Sequence, residues 1–128
     1  MPSLEPQQCS EARLAAKQFY SFHFGNDMTP SAENLKARER FLTSELYGSL
    51  ANPNGKTDYF TKADEYPKTF KMGTCESAGP DRATLQVQVY WQEERGSRKE
   101  TTQREVLVDV VKKNDRWLIN NVAEARTK

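Results

Sequence analysis

The stretch VLVDVVKKNDRWLINNV, from Val106 to Val122, decides the fold class. Two apolar runs flank a short polar break, and a tryptophan follows the break. Asn114 and Asp115 accept positive φ in a tight turn, so the spacing predicts two antiparallel strands joined there. Working back along the chain, the same period continues. In RATLQVQVYWQE, Leu85, Val87, Val89 and Trp91 share one face, and Gln86, Gln88, Tyr90 and Gln92 share the other. That is the pattern of a half-buried antiparallel strand. ERGSRKE reads as a charged, solvated hairpin tip, AGPD as a turn, and FKMGTCES as a short first strand. About four antiparallel strands are therefore expected after Phe70.

Before Phe70 the period is helical. In SEARLAAKQFYSFHF, Ala12, Ala15, Ala16, Phe19 and Phe22 fall on one side, and Gly25–Asn26 end the helix. Ser10 can cap it, which leaves residues 1–9, with Pro2 and Pro6, as a flexible lead-in to a single domain over 10–128. Ser31 or Thr29 starts a second helix, with Pro30 in its first turn. Leu35, Leu42, Leu46 and Leu50 then line one face, with Glu39 inside the stripe. Thr43–Ser44 can cap a fresh helix, so one long helix and two short ones are equally open. ANPNGKTD breaks the pattern. DYFTKADEYPKTF, rich in aromatics, reads as a segment laid over the core, with Asp58 able to cap a helical turn.

Helices first and strands after them argue for an α+β fold, with helices packed on one face of a curved sheet. A chain of 128 residues can bury a real core as one domain. Nineteen basic residues against eighteen acidic ones leave a net charge of +1, without the basic excess of a nucleic-acid binder. The apolar runs are too short for a transmembrane segment. MPSLEPQQCSEARL has no apolar core of a signal peptide; it reads as a mature or trimmed start, which leaves an extracytoplasmic home open. One histidine, His23, and two distant cysteines, Cys9 and Cys75, are too few for a zinc site, so no metal and no cofactor is expected. The cysteines are two inert thiols, the simpler expectation, or one long-range disulfide.

AAKQFYSFHF, ERFLTSELYGSL, DYFTKADEY and the closing VDVVKKNDRWLINNV resemble the NTF2-like (cystatin-like) superfamily, and within it the bacterial secreted or lipoprotein-type domains called DUF3828. The resemblance runs from about residue 10 to the end. It rests on apolar and aromatic pattern, and Asp115 stands where such hairpins often carry glycine. It implies a cone, a bent sheet wrapped around helices, whose open end can form a pocket or whose sheet can pair in a homodimer. It also implies a periplasmic or secreted home.

Candidate chemistry is sparse. His23, on the edge of the apolar face of the first helix, can act as a general base or sit as a structural histidine. Glu39, a carboxylate in an apolar stripe, needs a partner, a proton or an outward turn. Some NTF2-like enzymes combine an acid with a tyrosine, which would fall here on Asp64 and Tyr20. Phe19, Phe22, Phe60, Trp91 and Trp117 can line a pocket for a small apolar ligand, or simply fill the core. The expectation is a non-catalytic binding or assembly domain that holds a protein partner or a small apolar ligand. The alternative is a small isomerase, dehydratase or hydrolase built on the cone, using a pocket carboxylate or histidine.

Overall fold

Period-two alternation becomes a four-stranded antiparallel meander in the computed structural model, which describes residues 6–51, 57–63 and 65–125. The strands are β1 (Thr69–Ser77), β2 (Arg82–Arg95), β3 (Arg98–Lys113) and β4 (Arg116–Glu124), in that order across the sheet. The inner face is Ala83, Leu85, Val87 and Val89 of β2 with Val106, Val108 and Val110 of β3, all fully buried. Ile119 and Val122 extend it on β4. The closing turn is settled by Asn114 (φ 52°) and Asp115 (φ 64°), both left-handed, as a two-residue hairpin turn matched to strand twist requires. Aspartate in place of glycine is thus accommodated.

The first helix, α1 (Gln7–Phe24), lies across that inner face and buries Cys9, Ala12, Ala16, Phe19, Tyr20 and His23. It starts three residues before the expected Ser10 cap. Pro6 precedes it, with no side-chain cap, and its carbonyl accepts from the Cys9 and Ser10 amides. Residues 7–9 of the expected flexible lead-in are therefore helical, because Cys9 has a core position to fill. The buried stripe is also rotated towards Tyr20 and His23; Ala15 and Phe22 are only half-buried.

The Leu35–Leu50 region forms short pieces: α2 (Ala32–Arg38), a 3-10 turn (Glu39–Phe41) and α3 (Ser44–Ser49). Ser31 caps α2 by accepting from the Asn34 amide, so Pro30 lies before the helix and not in its first turn. Thr43 caps α3 by accepting from the Leu46 amide. Between them Leu42 bridges β4 at Ile119, and the Thr43 amide donates to the Ile119 carbonyl. This segment thus closes one edge of the sheet.

Cys9 and Cys75 are joined in a disulfide, with Cα atoms 5.9 Å apart, which corrects the simpler expectation of two thiols. A bulge makes the pairing possible. Met72 opposes Val87 but Cys75 opposes Leu85, so β1 carries one extra residue at Gly73–Thr74. Strict alternation from Phe70 and Met72 would turn Cys75 outward. The bulge turns it inward, towards α1, and Arg13 of α1 donates to the Gly73 carbonyl there.

Gly73 has no room for a side chain. A Cβ would lie 2.6 Å from Gln86 Oε1 and 3.0 Å from the Gln86 carbonyl oxygen. Gln86 cannot simply swing away, because Oε1 accepts from Thr74 and Nε2 donates to Glu105. Gly73→Ala is expected to cost about 1–3 kcal/mol in chemical denaturation, as overpacking generally does. An unchanged midpoint would show that the bulge yields freely.

Candidate functional site

The apolar face of α1 ends in a polar residue, His23, and the fold gives it partners. His23 is 2% exposed and stacks on Phe19, with ring centroids 5.4 Å apart. Two polar residues converge on its ring. Arg38, at the end of α2, donates from Nε to His23 Nδ1 at 2.7 Å. Asp58 lies on the other side, with Oδ2 2.7 Å from His23 Nε2. Since Nδ1 accepts from a guanidinium, the ring proton is assigned to Nε2, which donates to Asp58.

Each group is further satisfied. Asp58 accepts from the Thr61 hydroxyl at 2.7 Å and from the Phe60 amide at 3.2 Å. Arg38 donates to the carbonyls of Asn34 and Asp27, at 2.8 and 2.9 Å. Those bonds tie the α1–α2 loop to the start of α2. Burial lowers the Arg38 guanidinium from its ordinary value, against the pull of Asp58 and Asp27. No buried side-chain nitrogen or oxygen among the described residues lacks a partner.

The turn from Asp58 to Ala63 holds this network in place. The Asp58 amide donates to the Ala63 carbonyl, and the Lys62 amide donates to the Asp58 carbonyl. Lys62 takes φ 57° to close the loop. Tyr20 fixes the turn to α1, donating its hydroxyl to the Phe60 carbonyl at 2.7 Å. Burial pushes the Tyr20 phenol well above its ordinary value, and Asp58 and Tyr59 add to the shift. A phenol so placed is a structural donor.

Beside the network lies a cavity of about 380 Å³. Its walls come from the end of α1, the loop to α2, α2, the end of α3 and the 57–62 turn; no strand contributes. Among the wall residues are Leu35, Leu50 and Phe60, with His23, Arg38 and Asp58 at its polar side and Lys62 at its edge. The cone interior between α1 and the sheet is filled by core side chains.

The candidate residues of the sequence separate in space. Glu39 is not a pocket carboxylate: its side chain is 46% exposed and pairs with Lys36 at 2.8 Å, because the helix breaks there and turns it outward. Asp64 lies outside the described residues, so its pairing with Tyr20 has no placement. Phe19 is core, and Phe60 is both core and cavity wall. Phe22 lies outside the core beneath the Arg38 and Arg40 guanidiniums. Trp91 donates to the Glu65 carbonyl and Trp117 to Glu11, each beside a different groove. The five aromatics therefore do not surround one cavity.

Arg38, Lys62 and the buried role of Asp58 were missed from the sequence. Arg38 carried a readable signal. It stands three residues after Leu35 and four before Leu42, on the buried stripe, where a cation demands acceptors. Among the described residues no helix is long and apolar enough to cross a membrane, and no His/Cys/Asp/Glu cluster could hold a metal.

No protein-family model and no curated protein matches the sequence. Solved structures share the fold. One is a chain of the native type VI effector–immunity complex Tae3–Tai3 from Ralstonia pickettii, 19% identical, covering 95% of this chain and 99% of that one, with a TM-score of 0.59. Another is an Ntf2-like protein involved in plasmid conjugation, 12% identical over 98% of this chain, with a TM-score of 0.52. The present chain spans 50% of that protein's length. Helices packed on a four-stranded antiparallel sheet thus form an NTF2-like α+β fold.

Proposed function

We propose that this chain is a non-catalytic binding or assembly domain that engages a protein partner through the outer face of its sheet. One observation carries the reading. The outer face bears a ladder of side chains already fixed by one another. Tyr90 donates to Gln88, Gln88 and Gln86 donate to the two oxygens of Glu105, and Thr74 donates to Gln86. Leu107, opposite Gln86 and 38% exposed, stands beside it. Side chains ordered in advance lose little rotamer freedom on docking, and a tyrosine with an apolar neighbour among polar groups suits a wet interface. The likeness to a chain of an effector–immunity complex supports a protein partner. Homodimerisation through this face is one form of the proposal.

The Cys9–Cys75 disulfide supports a periplasmic or secreted home in a bacterium, since such bonds persist in oxidising compartments. That setting and the sequence resemblance together support the finer placement among DUF3828 domains. The buried His23–Asp58 pair beside a cavity favours the enzyme alternative at first sight. Both ring nitrogens are engaged, however, so the imidazole offers a substrate no free lone pair.

The test combines native mass spectrometry with photo-crosslinking in the bacterial periplasm. Crosslinkers at Gln88 and Leu107 are expected to capture a defined partner or a second copy, and one at Lys17 on α1 is not. Leu107→Arg should weaken that capture about tenfold, as loss of a central contact does. A strictly monomeric chain with no crosslink from the sheet face would overturn the proposal.

A further inference from the structure

At the 380 Å³ cavity, one cation lacks a hydrogen-bonding partner for its ammonium among the described residues: Lys62. The inner polar side of the cavity is internally consumed: His23, Arg38 and Asp58 bond to one another and to nearby backbone and Thr61. Lys62, at the edge, differs. Its ammonium lies 3.5 Å from the centroid of the Tyr59 ring, and no carboxylate or other acceptor bonds to it among the described residues. The side chain is half-buried, and burial lowers its pKa against the pull of Glu124 and Asp58. The position is fixed. Lys62 takes a left-handed φ, its amide donates to the Asp58 carbonyl, and Arg104 donates to its carbonyl. The rest of the wall includes Met28, Pro30, Leu35, Leu50 and Phe60, apolar and shape-defining.

We propose that this cavity binds a small organic monoanion with an apolar body, its carboxylate paired with Lys62 over the Tyr59 ring and its body against Leu35, Leu50 and Phe60. The volume falls in the range of small-molecule sites, and one charged group at an apolar cavity is the usual way to fix a ligand's orientation. A partly desolvated ammonium over a ring gains more from an anion than a solvated lysine does. The site lies away from the outer sheet face and contains no strand residue, so it stands or falls independently of the partner proposed above.

The test titrates the full chain with octanoate and phenylbutyrate, and with octanol as the neutral counterpart, following backbone amide shifts by NMR. The acids are expected to shift Leu35, Leu50, Phe60 and Lys62 and to bind about ten- to a hundred-fold more tightly than octanol, the range for a bond to a charged group. Lys62→Met should bring octanoate down to the octanol level while leaving octanol unchanged, which also shows that the variant is folded. Lys62→Arg should restore the preference for the acid. Leu50→Trp, which fills the cavity, should abolish binding of all three. Equal binding of octanoate and octanol, shifts outside the cavity, or no binding of either acid would overturn the proposal.

Discussion

Replacing Asp58 with alanine is expected to lower the unfolding free energy by about 3–5 kcal/mol, because it removes a buried carboxylate that accepts several hydrogen bonds and balances the buried Arg38 guanidinium across a neutral imidazole. The substitution strips the acceptor from three donors at once: His23 Nε2, the Thr61 hydroxyl and the Phe60 amide. It also leaves the Arg38 guanidinium, 2% exposed, with no buried negative charge on the far side of the imidazole. Asp58 is 3% exposed, and His23 stacks on Phe19 and meets Phe60 edge-on, so only water from the adjoining cavity can replace the lost acceptor. Thr61→Val removes only one donor and leaves Asp58 two others, so a loss of about 1 kcal/mol is expected. Asp58→Asn should fall between them, because an amide oxygen can still accept but the charge is gone. Urea denaturation of the three variants tests this ranking. A loss below about 1 kcal/mol for Asp58→Ala would mean that water fills the network and that the dry account is wrong.

The contrast between the sheet and this network shows what a sequence can disclose. The strands were legible because alternation is local: Leu85, Val87 and Val89 face inward for the same reason at each step. The closing hairpin was legible because Asn114 and Asp115 tolerate the φ that the turn needs. Thr43 as the cap of a fresh helix was one of two open readings, and its side chain does accept from Leu46. Glu39 stood open between a partner, a proton and an outward turn, because the stripe alone does not say whether one helical period runs through it. The 3-10 turn at Glu39–Phe41 breaks that period and rotates the carboxylate to solvent.

The pairing of His23 with Asp58 had no such local signal. Thirty-five residues and a change of element separate them, and no spacing rule reaches that far. What was available was a demand rather than a partner. A histidine and an arginine on apolar stripes must each find acceptors, and an aspartate flanked by aromatics, in a segment laid over the core, could supply them. The cysteine pairing was hidden differently, because it depends on a bulge. Only the extra residue at Gly73–Thr74 brings Cys75 to the inner face, and strict alternation from Phe70 argues against it.

Removing that disulfide is the second large effect expected. Closing the chain between residues 66 apart should stabilise the fold by about 4 kcal/mol through the entropy of the unfolded chain. The cross-link spans α1, α2, α3 and the 58–63 turn, so reduction frees the whole segment that precedes the sheet. The native contacts of α1 remain: Ala12, Ala16 and Phe19 still belong to the core with Val87 and Val108. Cys9→Ala with Cys75→Ala should therefore leave the circular dichroism spectrum native but lower the urea midpoint. It should also raise the denaturant slope, because an unbridged unfolded chain exposes more surface. A fall of less than about 1 kcal/mol would indicate that the unfolded chain is already compact across this loop. The two losses have separate origins, one in the native network and one in the unfolded chain, and should add. Their sum, about 8 kcal/mol, reaches the range of total stability for a domain of this size. The triple variant with Asp58→Ala is then expected to be largely unfolded at room temperature, while either change alone still folds.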